Sequence, residues 1–187
     1  KRLEKFNLAW AEDLIPWQET EKYKILRNST TTPLATREDI YLKENFEPLL
    51  RSNALAVIHP DVLSTGGILE TKKIGDLAAS HGVSMAIHMA ESPIGCLAAV
   101  HAAAVSENFI ACEFHSVDVP EWDDLYESKL PKPLVQNGFI QVPDEPGLGI
   151  ESLNDDVLTE FLHPDYPEMW APTKMFDKDL GNIRLWS

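Results

Sequence analysis

Short apolar runs alternate with longer helix-patterned segments through the first two thirds of the chain. A charged start (residues 1–5) reads as the end of a helix, and residues 8–11 follow as a buried run. The polar stretch 19–28 predicts a short helix, and 33–35 a brief extended run. Residues 42–51 predict a helix whose second half Pro48 is expected to break, because proline lacks an N–H and crowds the preceding turn. Residues 54–58 (Ala-Leu-Ala-Val-Ile) are continuously apolar, the pattern of a strand covered on both faces. After Gly66-Gly67, residues 69–81 carry apolar positions at helical spacing, with Gly82 placed to cap the end. Residues 84–87 predict the next strand. Ser92-Pro93 opens a helix of small residues over 94–105, with the proline near its first turn. Residues 109–112 are the last clear strand. Strands alternating with helices across short loops predict an α/β fold with a parallel sheet.

Beyond Val119 the pattern fails. Pro120, Pro131, Pro133, Pro143, Pro146, Pro164, Pro167 and Pro172 punctuate a segment with one helix candidate (155–162) and one hairpin-strand candidate (139–142). Two units are therefore expected: the α/β part over 1–119, and an irregular C-terminal extension over 120–187 that packs on it without a core of its own.

Composition narrows the function classes. The chain has 187 residues, the size of one domain, and 44% hydrophobic residues, enough for a real core. The formal charge is −14, and no stretch concentrates Lys or Arg. Nucleic acid and anionic membranes are thereby poor partners. No apolar run of about 18 residues exists to span a bilayer. Cys96 and Cys112 are too few for a disulfide framework, and both sit in apolar surroundings; buried core thiols and a cytoplasmic location are expected. Residue 1 is Lys rather than Met, and no signal segment follows. Either the start has been processed away or the chain is a piece of something longer.

Each predicted strand runs into an ionisable residue at its C-terminal end. The series Glu12, Glu38, Asp61, His88 and Glu113 has intervals of 26, 23, 27 and 25 residues. Taken alone, each is usually a loop acid, a helix cap or an ordinary histidine. Five in register predict a βα repeat with one chemical group per unit at the strand mouths. In a (β/α) barrel that mouth is where active sites are built. Glu12 and Glu38 are hard oxygen ligands suited to Mg²⁺. Asp61 and His88 form a carboxylate–imidazole pair able to act as general base or acid. Glu113 faces a substrate oxygen from the far side. His59 and His115 fall outside the register; with Glu91 they are candidate substrate contacts. A metal on one side and a base on the other suit proton abstraction next to a carboxylate, with the metal stabilising the developing enediolate.

At this point the chain resembles the enolase superfamily, in its mandelate racemase/muconate lactonizing branch. The matching segments are Leu8-Ala-Trp-Ala-Glu-Asp13, Pro33-Leu-Ala-Thr-Arg-Glu38, Val57-Ile-His-Pro-Asp61 with Gly66-Gly67-Ile68, Met85-Ala-Ile-His88, Ala111-Cys-Glu113 and the turn Val142-Pro-Asp-Glu-Pro-Gly-Leu-Gly149. The resemblance implies the C-terminal half of a modified (β/α) barrel, strands four to eight. It implies that Glu12 and Glu38 are the second and third Mg²⁺ ligands, that Asp61 and His88 are the dyad of strands six and seven, and that Glu113 is the acid of strand eight. The segments His88-Met-Ala-Glu-Ser-Pro-Ile-Gly95 and Glu113-Phe-His115 look most like the sugar-acid dehydratases of the gluconate, galactonate and arabinonate type. The implied reaction removes the proton α to the carboxylate and expels the β-hydroxyl. Racemisation, epimerisation or cycloisomerisation on the same site, and a non-catalytic barrel relative, are the alternatives.

Several features depart from the family pattern. Leu14 stands where a proline usually follows the acidic pair, and Arg37 where a glycine often precedes the fifth-strand acid. Asp13 in place of Glu12 stays open as the ligand. No segment corresponds to the capping domain, to the first three barrel strands with the lysine base, or to the first metal-ligand aspartate. The N-terminal half of the same enzyme is therefore an expected partner, a homo-oligomer is implied, and the isolated half-barrel is not expected to fold stably.

Overall fold

The computed structural model describes residues 1–36, 38–165 and 168–169. Five strands form one parallel sheet in sequence order: β1 (Ala11–Glu12), β2 (Leu34–Thr36), β3 (Val57–Ile58), β4 (Ser84–Ile87) and β5 (Phe109–Cys112). Between them run α1 (Thr20–Ser29), α2 (Lys43–Arg51), the single turn α3 (Val62–Thr65), α4 (Ile68–Ser80) and α5 (Pro93–Ala104). This is the α/β alternation that the pattern predicts.

Side-chain alternation divides the sheet into two faces. Leu34, Ile58, Met85 and Ile87 pack with Tyr23, Phe46, Leu49, Ile74, Ala99 and Ala102 of the helices in the main core. Ala35, Val57 and Ala86 form a separate cluster with Trp10 and Ala111. That second face carries the chemistry, because stepping two residues on from Trp10, Val57, Ala86 and Ala111 arrives at Glu12, His59, His88 and Glu113.

Some boundaries differ from the sequence expectation. Pro48 does not break α2, which runs unbroken to Arg51. The proline removes one internal N–H bond, while Phe46, Leu49 and Leu50 bury the helix's apolar stripe. The apolar run 54–58 is a strand only at Val57–Ile58; Ala54 and Leu55 join the core from the preceding loop. Cys96 is buried as expected, but Cys112 is half-buried, since β5 ends the order of the described sheet. No strand forms over 139–142: Gln136 and Phe139 make an isolated bridge around Gly138 (φ +83°), and the Phe139 side chain is exposed. The antiparallel pair lies elsewhere, between β6 (Tyr126–Glu127) and β7 (Ser152–Leu153), followed by α6 (Asp155–Glu160). Trp122, Tyr126 and Leu134 of this segment share a core cluster with Met89, Cys96 and Leu97.

Candidate active site

The backbone ladder carries the site residues past the assigned strand ends. The His88 amide donates to Pro60 O at 3.1 Å, making an Asp61–His88 parallel bridge, and the Glu113 amide donates to Ile87 O at 2.9 Å. Side chains at these positions are thus held by sheet geometry rather than by free loops.

Asp61 does two jobs. Its Oδ1 accepts from the amides of Leu63 (2.7 Å) and Ser64 (3.1 Å), which caps α3. Its Oδ2 accepts from His88 Nδ1 at 2.8 Å. The cap fixes the carboxylate, the carboxylate fixes the Nδ1–H tautomer, and Nε2 is left as the working nitrogen. Burial opposes the Asp61 charge, but hydrogen bonds from His88, Glu91 and the two amides outweigh it and hold the pKa below the ordinary value. The Asp61 hydrogen bond raises the His88 pKa; burial works the other way, and the charges of Glu113 and Asp61 reinforce the rise.

Glu113 lies against three imidazoles. Its Oε1 is 2.8 Å from His115 Nε2, while its Oε2 is 3.4 Å from His59 Nε2 and 3.5 Å from His88 Nε2. Burial would raise its pKa, but the hydrogen bond from His59 and the neighbouring imidazoles lower it. Glu91 lies at the surface beside the dyad. Burial, and then its contact with the Asp61 carboxylate, push its carboxyl pKa up.

A second group gathers on the other side. Glu12, Asp13 and Glu38 each offer a carboxylate oxygen, and the three oxygens lie within 4.8 Å of one another. Trp10 Nε1 donates to Glu12 Oε2 at 2.8 Å, and Ser64 Oγ donates to the Glu38 carbonyl at 2.8 Å. Asp61, His88 and Glu91 satisfy the same spacing.

The sequence register is therefore gathered at one end of the sheet, with Glu12 and Glu38 in one group and Asp61, His88 and Glu113 in the other. His115 is exposed at the rim and Glu91 lies at the surface beside the dyad, whereas His59 is only 5% exposed. The reading of single residues missed Trp10, whose position two before Glu12 puts it on the same face. It also missed the cap that Asp61 supplies, signalled by an acid before Val62-Leu63-Ser64. Arg37, expected beside Glu38, lies outside the described residues.

Comparison with known proteins decides the kinship. A family model described as "Enolase C-terminal domain-like" matches residues 1–157. The chain belongs to this enolase C-terminal domain-like family. Among curated relatives, "D-xylonate dehydratase" of Haloferax volcanii is 39% identical over 148 residues, covering 79% of this chain and 35% of that protein. "D-galactonate dehydratase family member RspA" of Pantoea ananatis is 34% identical over 163 residues, covering 86% of this chain and 38% of that protein. The crystal structure of a mandelate racemase/muconate lactonizing enzyme-like protein from Rubrobacter xylanophilus superposes with a TM-score of 0.82 at 34% identity. It covers 89% of this chain and 42% of that one. The chain thus spans well under half the length of these relatives. The family's barrel domain accounts for the parallel βα order, and for the gathering of functional side chains at the C-terminal ends of the strands.

Proposed function

We propose that this chain carries the dyad side, and part of the metal side, of a Mg²⁺-dependent dehydratase acting on sugar acids, aldonates or aldarates. The observation that carries the reading is the Asp61–His88 pair: Nδ1 is bound at 2.8 Å and Nε2 lies 3.5 Å from Glu113, at the end of the sheet where Glu12 and Glu38 also gather. The names of the xylonate and galactonate relatives support the substrate class.

The residues present fit a hard divalent cation. Glu12 and Glu38, with Asp13 beside them, form an all-oxygen set with converging carboxylates, the donor chemistry of Mg²⁺ rather than of a softer metal. Bound there, Mg²⁺ supplies positive charge to the oxygens of a developing enediolate. The chain's own groups do the proton work. Neutral His88 takes a proton at Nε2, and the Asp61 carboxylate stabilises the imidazolium that forms. Alternatively, protonated His88 delivers its Nε2 proton to a departing β-hydroxyl, with the C2 proton taken from the other face. Which direction operates depends on which face of the substrate carries the proton and which the hydroxyl. Glu113 accepts from hydroxyls of the acid, and His115 and Glu91 at the rim are further contacts for its oxygens. The proton from C2 and the hydroxyl from C3 leave together as water, and the enol becomes a 2-keto-3-deoxy acid.

The test is a panel of aldonates and aldarates incubated with the full-length protein and Mg²⁺, followed for 2-keto-3-deoxy product. Turnover of at least one acid, abolished by chelation, is expected. Racemisation or cycloisomerisation without loss of water would overturn the dehydratase reading in favour of the other chemistry on the same site.

A further inference from the structure

His59 is the histidine of the cluster to which the proposed reaction gives no task, neither moving the proton nor holding substrate at the rim. It follows β3 directly, and alternation puts it on the face of Val57 and Asp61. Its ring is 5% exposed and lies between the two halves of the site. Trp10 stands 6.5 Å away and His88 5.6 Å away, centroid to centroid. Nε2 is 3.4 Å from Glu113 Oε2; buried Nδ1 has no hydrogen-bond partner and faces Glu12 Oε2 at 3.7 Å. A ring so enclosed has little surface to offer a substrate.

Glu113 needs such a neighbour. Its Oε1 partner, His115, is 55% exposed on the rim. Its Oε2 meets His88 Nε2 at 3.5 Å and the Met89 amide at 3.4 Å. If Nε2 of His88 exchanges protons with substrate, it cannot also be a permanent donor to Glu113. A neutral imidazole has one N–H to give. His59 has its Nε2 on Glu113 and no competing task there.

We infer that His59 is a positioning residue: its Nε2–H donates to Glu113 Oε2 and keeps that carboxylate aimed alongside His88 Nε2. The kinetic part of this inference rests on the dehydratase reading; the placement of the proton does not. A displacement of about 1 Å in a catalytic group can cost on the order of 10²-fold in rate, and that is the scale of loss expected when the donor is removed.

The experiment has two arms on the full-length protein. Long-range ¹⁵N–¹H spectra with ¹⁵N-labelled histidine locate the His59 proton, with His59→Gln identifying the signal. The proton is expected on Nε2; a proton on Nδ1 would overturn the proposal whether or not any sugar acid is turned over. In the kinetic arm, His59→Leu is expected to lower kcat on the order of 10²-fold with KM nearly unchanged, and His59→Gln, which keeps a donor, to recover most of the loss. In a Glu113→Gln background the same His59→Leu change is expected to cost little, because the carboxylate it holds is gone. An equal cost in both backgrounds, or no rescue by glutamine, would mean that His59 only fills space. Absence of turnover by the unsubstituted protein would instead sink the dehydratase reading and leave the proton's position to decide.

Discussion

Asp61 joins a structural and a chemical task in one carboxylate, so its substitution separates them. Asp61→Asn keeps an oxygen for the Leu63 and Ser64 amides but presents an amide N–H₂ to His88 Nδ1. The imidazole is then forced into the other tautomer and loses its stabilising charge. Activity of the full-length protein is expected to fall about 10²–10⁴-fold, with the cap on α3 retained. The His88 limb of the pH–rate profile should move to lower pH, because the hydrogen bond that raises its pKa is gone. An unmoved limb would contradict the dyad. The linkage signs are consistent with this. The raised His88 pKa contributes stability fully present below the unfolded imidazole value of about 6.5 and lost as pH rises through the folded one. Asp61, lowered, contributes above about 3.9 and loses it as pH falls through its folded value. At the other group, Glu38→Gln should weaken Mg²⁺ binding at least about tenfold in a metal titration; unchanged affinity would remove Glu38 from the ligand set. Single positions were legible in the sequence only as a register. No property of Glu12 or His88 by itself marks it, and the bridging place of His59 depends on three strands meeting, which no local pattern encodes.

Elements were legible where periodicity was strong and partners were sequential. The strands β4 and β5 and the helices α4 and α5 fall within a residue of the expected bounds, because apolar spacing and the Gly82 and Ser92-Pro93 punctuation all agree. Very short strands were not legible. β1 and β3 are two residues each, and which part of an apolar run pairs is set by the neighbouring strand rather than by the run. After Val119 the helix expected over 155–162 is present as α6, but the strand pairing was illegible for a related reason: the β6–β7 pair joins residues about 26 positions apart across a proline-rich loop. One device in that loop is testable. Gly149 has φ +81°, and a Cβ there would fall 2.6 Å from Pro143 Cβ. This close approach lets the chain turn back so that Leu148 packs against both main clusters. Gly149→Ala should therefore destabilise the protein by about 1–3 kcal/mol, read as a lower midpoint of thermal unfolding. An unchanged midpoint would show that the loop is not fixed in this form.

At the scale of the molecule, the described sheet runs from β1 to β5 and has an apolar cleft at each end. One, of about 420 Å³, is lined by Phe109, Ile110, Phe139 and Val142 among others; the other, of about 300 Å³, by Leu3, Leu8, Leu26 and Leu34 among others. The relatives are more than twice as long as this chain. Among the described residues no helix is long and apolar enough to cross a membrane. In the proposed reaction the gathered acids and the Asp61–His88 pair dehydrate a sugar acid through proton abstraction beside its carboxylate. The most direct test is to run the full-length protein with Mg²⁺ and an accepted aldonate in D₂O and follow the reaction by ¹H NMR. A 2-keto-3-deoxy acid carrying one deuterium at C3 is expected, placed there when the enol takes its proton from solvent. Exchange at C2 with the hydroxyl at C3 retained would contradict it.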